Sequence, residues 1–93
     1  MLRVVVYFTI ENGMSNAFIN AIEKTQIVQQ GRKEQGNIQY DFFQSLSCVN
    51  LVLLMQCWNT EEDYRRYMES GYKQLFEIER GFVVAVKIEK YVE

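Results

Sequence analysis

Residues 51–58 read Leu-Val-Leu-Leu-Met-Gln-Cys-Trp, and residues 59–63 continue Asn-Thr-Glu-Glu-Asp. The first stretch predicts the last part of a strand running over Val49–Trp58, since side chains alternate sides every residue. Val52 and Leu54 then point one way, and Leu51, Leu53 and Met55 point the other. A strand that is apolar on both sides needs cover on both sides. The second stretch starts a helix. Thr60 is an N-cap residue, and Glu61-Glu62-Asp63 complement the positive end of the helix dipole.

Working back from this junction, Ser45–Asn50 is a turn and Ile38–Leu46 a second strand. Ile38, Tyr40 and Phe42 share one face of it, with Gln39, Asp41 and Phe43 on the other. The polar tract Gly31–Asn37 ends a helix that Ser15 caps and that runs to about Gln30. Met14, Phe18, Ala21, Ile22, Thr25 and Val28 form its apolar stripe. Glu11-Asn12-Gly13 is a turn in which Gly13 takes positive φ. Leu2–Ile10 is the first strand, with Val4, Val6, Phe8 and Ile10 on one side and Val5 and Tyr7 on the other.

Working forward, the second helix carries Tyr64, Tyr67, Met68, Gly71, Leu75 and Phe76 on one face. Ser70-Gly71 is a point where it can break in two. Gly81 sits where a left-handed C-terminal cap belongs. Phe82–Val92 closes the chain as a strand that is apolar on both sides around Val83–Val86. The order β-α-β-β-α-β predicts an α+β, ferredoxin-like fold: a four-stranded antiparallel sheet with two helices on one face. Two helices cover one face only, so the apolar second face requires another surface. A second copy of the chain across a two-fold axis is the simplest one. A homodimer through the sheet face opposite the helices is therefore expected. Asp41, on that side, needs a partner there, and Arg3 or Lys87 could supply it.

The 93 residues are enough for one domain, 1–93, with no repeat or linker. Ten Lys and Arg against twelve Asp and Glu give a net charge of −2, which argues against binding nucleic acid through its phosphates. Histidine is absent, which removes the commonest metal ligand and the usual neutral-pH base. Cys48 and Cys57 have neither disulfide-framework nor zinc spacing, so they read as small hydrophobes; neither a metal nor a cofactor is expected. The longest apolar runs have strand length, so no membrane span is expected. The start resembles a signal peptide until Glu11 and Asn12 interrupt it without a small-residue cleavage site, and a cytoplasmic protein is expected. Arg65 and Glu69 are spaced to pair across one helical turn.

Two stretches carry a resemblance to a known family, and a third falls at a characteristic place. Glu34-Gln35-Gly36-Asn37-Ile38-Gln39-Tyr40 is similar to a Glu-Pro-Gly-x-x-x-Tyr entry into the second strand. Gln56-Cys57-Trp58-Asn59-Thr60-Glu61-Glu62 is similar to a strand end, tryptophan and capped acidic helix start. Tyr67-Met68-Glu69-Ser70-Gly71-Tyr72 falls where His-Leu-x-Ser-Pro-His is often found. Together they resemble the antibiotic biosynthesis monooxygenase family of dimeric α+β barrels. Gln35 replaces the common proline, and Tyr67 and Tyr72 stand where histidines are frequent. The haem-degrading branch of that superfamily uses an Asn on strand one, the strand-three Trp and a His on the second helix. Only Trp58 matches, because the Asn position falls near Val6 and no histidine exists.

The resemblance implies a cofactor-independent monooxygenase acting on a polycyclic phenol, anthrone or quinol. Alternatives on the same scaffold are an isomerase or quinol oxidase, and a non-catalytic small-molecule-binding or stress-response dimer. Fold alone does not choose among them. Trp58, Tyr64 and Phe8 are the candidate ligand-contacting residues, and Tyr67 and Tyr72 the candidate catalytic ones. Trp58 reads equally as an aromatic core anchor and as a pocket wall. The tyrosines read as a core stripe or as hydrogen-bond donors to a ligand oxygen, because a phenol is a poor base at neutral pH. Glu61-Glu62-Asp63 reads as a helix start and not as a catalytic pair.

Overall fold

The computed structural model describes Met1–Glu93. Its elements are β1 (Leu2–Ile10), α1 (Ser15–Lys24), α2 (Ile27–Arg32), β2 (Asn37–Gln44), β3 (Leu51–Trp58), α3 (Glu61–Ser70), α4 (Lys73–Phe82) and β4 (Val83–Val92). The strands form one sheet in the order β2-β3-β1-β4, and every neighbouring pair is antiparallel. This is the expected ferredoxin-like α+β fold, with each expected helix divided in two. No helix is long and apolar enough to cross a membrane.

Both divisions have local causes. In the first helix the Thr25 hydroxyl donates to the Ala21 carbonyl at 2.7 Å, and Gln26 turns left-handed at φ 57°. A left-handed non-glycine residue cannot continue a right-handed helix. Nothing in the residue types at 25 and 26 signals this break. In the second helix the break falls at the Ser70-Gly71 pair, as expected. Thr60 caps α3 as expected too, its hydroxyl oxygen accepting from the Asp63 amide at 3.1 Å.

Several local expectations are corrected. Ser15 is the first residue of α1 and not its cap; Met14 holds the cap position, and the Ser15 hydroxyl donates to the Val49 carbonyl at 2.6 Å. Gly81 lies inside α4 and has no positive φ; Gly13 and Gly36 do. Ile38 is 55% exposed because the β2–β3 register slips between Asn37 and Gln39, leaving it in a bulge. Asp41 pairs with Arg32 of α2 and not with Arg3 or Lys87. Arg66 pairs with Asp63 and Glu62, in place of the Arg65–Glu69 pair. Phe76 turns outward from α4, and Cys48 is exposed in the β2–β3 turn, whereas Cys57 is buried.

The core lies between the sheet and the helices. Leu2, Val4, Val6, Phe8 and Ile10 of β1 meet Val52, Leu54 and Trp58 of β3 there, under Phe18, Ile22, Tyr64, Tyr67 and Leu75. Strand alternation places Val5, Tyr7, Leu51, Leu53 and Met55 on the other face, which no helix covers. Gly36 joins α2 to β2 at φ 80°, and a Cβ there would run into the Asp63 carboxylate at the start of α3. Only glycine meets both demands.

Candidate functional site

Trp58 is fully buried on the helix side of β3, two residues before the Thr60 cap, so α3 folds back directly over it. Its indole N–H donates to Gln56 Oε1 at 2.8 Å. Its ring centroid is 5.0 Å from that of Tyr67 and 6.2 Å from that of Tyr64. The three-residue spacing of the two tyrosines puts both on the buried face of α3. The two hydroxyls then part company.

Tyr67 turns toward β2, where its hydroxyl meets the Tyr40 hydroxyl at 2.7 Å. The Tyr40 ring is held against Gly31 of α2, where a Cβ would fall 2.6 Å from the ring. Tyr40 and Tyr67 line a cavity of about 250 Å³ whose mouth carries Gln30, Glu34, Lys73 and Gln74. Two hydroxyls share one hydrogen bond, so one of their two protons is left to donate elsewhere. Burial, first among the causes, pushes both phenols well above the ordinary tyrosine range. They stay protonated at neutral pH.

Tyr64 faces a larger space, a groove of about 670 Å³ between α3 and β4. Tyr64, Met68 and Ile88 give it apolar walls, and Glu61, Arg65 and Lys90 line its charged part. The Lys90 ammonium lies 5.0 Å from the centre of the Tyr64 ring, within cation–π range. Burial also raises the Tyr64 phenol above its ordinary value.

Tyr72 lies between α3 and α4, and its hydroxyl donates to the Glu79 carboxylate. Glu79 lines a cleft of about 260 Å³ with Phe76, Arg80 and Val83–Val86. Burial raises the Glu79 carboxyl above the usual carboxylate range, and the bond from Tyr72 partly opposes this. Val86 and Ile88 pair with Phe8 and Val6, so both lie on the helix side of β4. They are 45% and 47% exposed, which leaves an apolar strip joining the cleft of Glu79 to the groove of Lys90.

Three of the five residues singled out in the sequence are thus divided among three places. Tyr64 lines the groove, Tyr67 the cavity, and Tyr72 supports the cleft through Glu79. Trp58 stands behind Tyr64 and Tyr67. Phe8 is fully buried between Phe18 and Phe42 and lines none of these three spaces. Tyr40, Glu79 and Lys90 are the residues that sequence reasoning missed as site members. Tyr40 was within reach, as the last residue of the quoted second-strand motif. No three His, Cys, Asp or Glu side chains group in a way that could hold a metal ion.

The fold and this helix-side site define a class. The chain belongs to the antibiotic biosynthesis monooxygenase family, whose profile matches residues 1–77. Among individual relatives, it is 26% identical over 76 residues to YcnE of Bacillus subtilis (strain 168), a protein named as a candidate monooxygenase, covering 82% of this chain and 78% of that one. A candidate antibiotic biosynthesis monooxygenase from Nitrosomonas europaea superposes with a TM-score of 0.88 at 21% identity, over 100% of this chain and 98% of that one. A mutant of SnoaB from Streptomyces nogalater, described as a cofactor-independent oxygenase, superposes with a TM-score of 0.80 at 13% identity, over 99% and 91% of the two chains. At these identities the two solved structures speak for the fold.

Proposed function

We propose that the chain, acting as one domain, is a cofactor-independent monooxygenase of an aromatic phenol or quinol-type substrate that binds in the groove between α3 and β4. The groove itself carries this reading: about 670 Å³ of largely apolar space with Lys90 poised over Tyr64. That volume lies within the ~300–1,000 Å³ range of small-molecule sites. The cavity beneath Tyr40 and Tyr67, about 250 Å³, suits only a compact ligand, since ~150 Å³ already accommodates a benzene ring. A polycyclic substrate therefore belongs in the groove.

In such a reaction a ring C–H position becomes C=O. One atom of O₂ enters the substrate, and the other leaves as water with two hydrogens taken from the substrate. The electrons come from the substrate, and the protein supplies orientation and electrostatics. Tyr64 provides the aromatic wall, stiffened from behind by Trp58. Lys90 and Arg65 hold a negatively charged oxygen on the ligand. Tyr72 and Tyr67 act through their neighbours: Tyr72 gives its hydroxyl to Glu79 beside β4, and Tyr67 fixes the position of Trp58 through its ring contact. The SnoaB likeness supports oxygenation without a cofactor on this fold.

Assembly belongs to the same proposal. Val5, Tyr7, Leu51, Leu53 and Met55 form an apolar surface on the open sheet face, and a second copy covers it in a homodimer. The free thiols of Cys48 and Cys57 suit a reducing, cytoplasmic compartment.

Oxygen uptake by the purified protein with a panel of two- and three-ring phenols and anthrones tests the activity. We expect consumption with at least one of them and a loss on the order of 10-fold or more in kcat/KM for Lys90→Ala, as for removal of a charge-stabilising donor. Absence of oxygen uptake across the panel would overturn the reading.

A further inference from the structure

Deprotonating a phenol near neutral pH requires a base, and this chain has no histidine to provide one. Burial holds the phenols of Tyr40, Tyr64, Tyr67 and Tyr72 protonated, which turns attention to the carboxylates around them. Asp63 and Glu79 are the two buried carboxyl side chains. Asp63 is tied up by Thr60 and Arg66, and these bonds hold its carboxyl below the usual range. Glu79 is different. It is 8% exposed, no cation pairs with it, and its side-chain partner is the Tyr72 hydroxyl. Arg80, the next residue of α4 and also on the cleft, pairs instead with Glu77 at 3.4 Å. From β4 it faces only the uncharged Val83–Val86, and from within the core the protonated Tyr40 and Tyr72.

A carboxylate has more than one acceptor position, and Tyr72 fills one of those of Glu79. The cleft stands open to the rest. The strip of Val86 and Ile88 leads from it to Lys90, four residues or ~13 Å along the strand from Val86. One side of β4 therefore presents a proton acceptor near one end, a cation near the other and apolar surface between.

We infer that Glu79 accepts the hydroxyl proton of an elongated, fused-ring hydroxyaryl substrate whose far end carries an anionic oxygen held by Lys90. The inference rests on the phenol-oxidising reading above. In this step the substrate O–H bond breaks and an O–H bond forms on the Glu79 carboxylate. The electron pair stays on the substrate oxygen, giving the phenolate that O₂ then oxidises. The proton passes afterwards from Glu79 to water. Tyr72 is a positioning residue that holds the carboxylate toward the cleft. The raised carboxyl of Glu79 brings it closer to the pH at which a base is useful.

The test uses 6-hydroxy-2-naphthoate as probe and the intact protein carrying ¹³C-carboxyl glutamate. The Glu79 resonance, assigned by its loss in Glu79→Gln, is expected to titrate above the ordinary carboxylate range and to move when the probe is added. With 2-naphthol, which lacks the anionic end, the same shift should need at least 10-fold more ligand, and Lys90→Ala should abolish that preference. In oxygen uptake, Glu79→Gln should remain folded by circular dichroism and lose on the order of 10²-fold in turnover. The rise of kcat/KM with pH should disappear with it, and Tyr72→Phe should shift that rise without removing it. A Glu79 resonance indifferent to the probe overturns the inference whether or not oxygen is consumed, and so does a Glu79→Gln enzyme that keeps the pH limb. If the resonance moves but no substrate consumes oxygen, the acceptor site stands and the monooxygenase reading falls.

Discussion

The two faces of the sheet are built from the same kinds of residue and meet different fates. On the helix side Val4, Phe8, Leu54 and Trp58 are completely buried. On the other side Val5, Tyr7, Leu51, Leu53 and Met55 are only half-buried, and Phe43 is 48% exposed. Around that apolar centre runs a polar rim. Lys87 stands over the Tyr7 ring at 5.5 Å, the Tyr7 hydroxyl donates to Glu89 at 2.7 Å, and Asp41 meets Arg32. An apolar centre with a polar rim is the anatomy of an interface core. The helix face buries most of its apolar side chains within one chain and leaves Val86 and Ile88 exposed, whereas the apolar centre of the open face stays half-buried with no element over it.

The largest expected effect comes from placing a charge at the centre of the open face. Leu53→Lys should abolish the homodimer and with it most of a stability on the order of 5–15 kcal/mol, since an ammonium would be buried without a partner. Circular dichroism combined with sizing checks this, and a folded dimer of the variant would refute it. The matching change on the closed face, Trp58→Ala, should cost ~3–5 kcal/mol in chemical denaturation through the cavity it leaves. Smaller again is Tyr67→Phe. It strands the Tyr40 hydroxyl in the core at a cost of ~1–3 kcal/mol, and a change below ~0.5 kcal/mol would mean that this hydroxyl pair contributes nothing to the closed face.

The subtlest contrast lies in pH. The Thr60 hydroxyl, and after it Arg66, holds Asp63 below its ordinary value. Its stabilising contribution is therefore present above the unfolded carboxylate value and fades as pH falls through the depressed folded one. Glu79 has the opposite sign, because burial raises it. Its charged form weighs against the fold, so stability declines as pH rises from the unfolded value through the raised folded one. Thermal melts against pH should show Asp63→Asn flattening the acid limb and Glu79→Gln flattening the decline above it. The same sign for both variants would contradict the assignment.

What the sequence disclosed, and what it withheld, follows from where each signal resides. Alternation along Leu2–Ile10 and Leu51–Trp58 is a local pattern, and it revealed both the strands and the two apolar faces. The Thr60 cap and the Ser70-Gly71 break are local too. The bulge at Ile38 is set by register with β3, which no single strand encodes. The left-handed turn at Gln26 has no glycine, asparagine or proline to announce it. The site was only half legible for the same reason. Trp58, Tyr64, Tyr67 and Tyr72 stand out by residue type, but Glu79 sits in a helix where a glutamate ordinarily means solvent. The tertiary packing of α4, with Tyr72 on its carboxylate, buries it. Lys90, in an edge strand, comes to line the groove once β4 is placed beside Tyr64.

The division of the sheet into one face for the site and one for a partner is tested most directly by sedimentation equilibrium of the wild-type protein over a wide dilution series. A single species of twice the chain mass that persists to the lowest measurable concentration is expected, because the half-buried apolar face of Val5, Leu53 and Met55 is poorly tolerated in water. A well-folded, stable monomer across that series would contradict it.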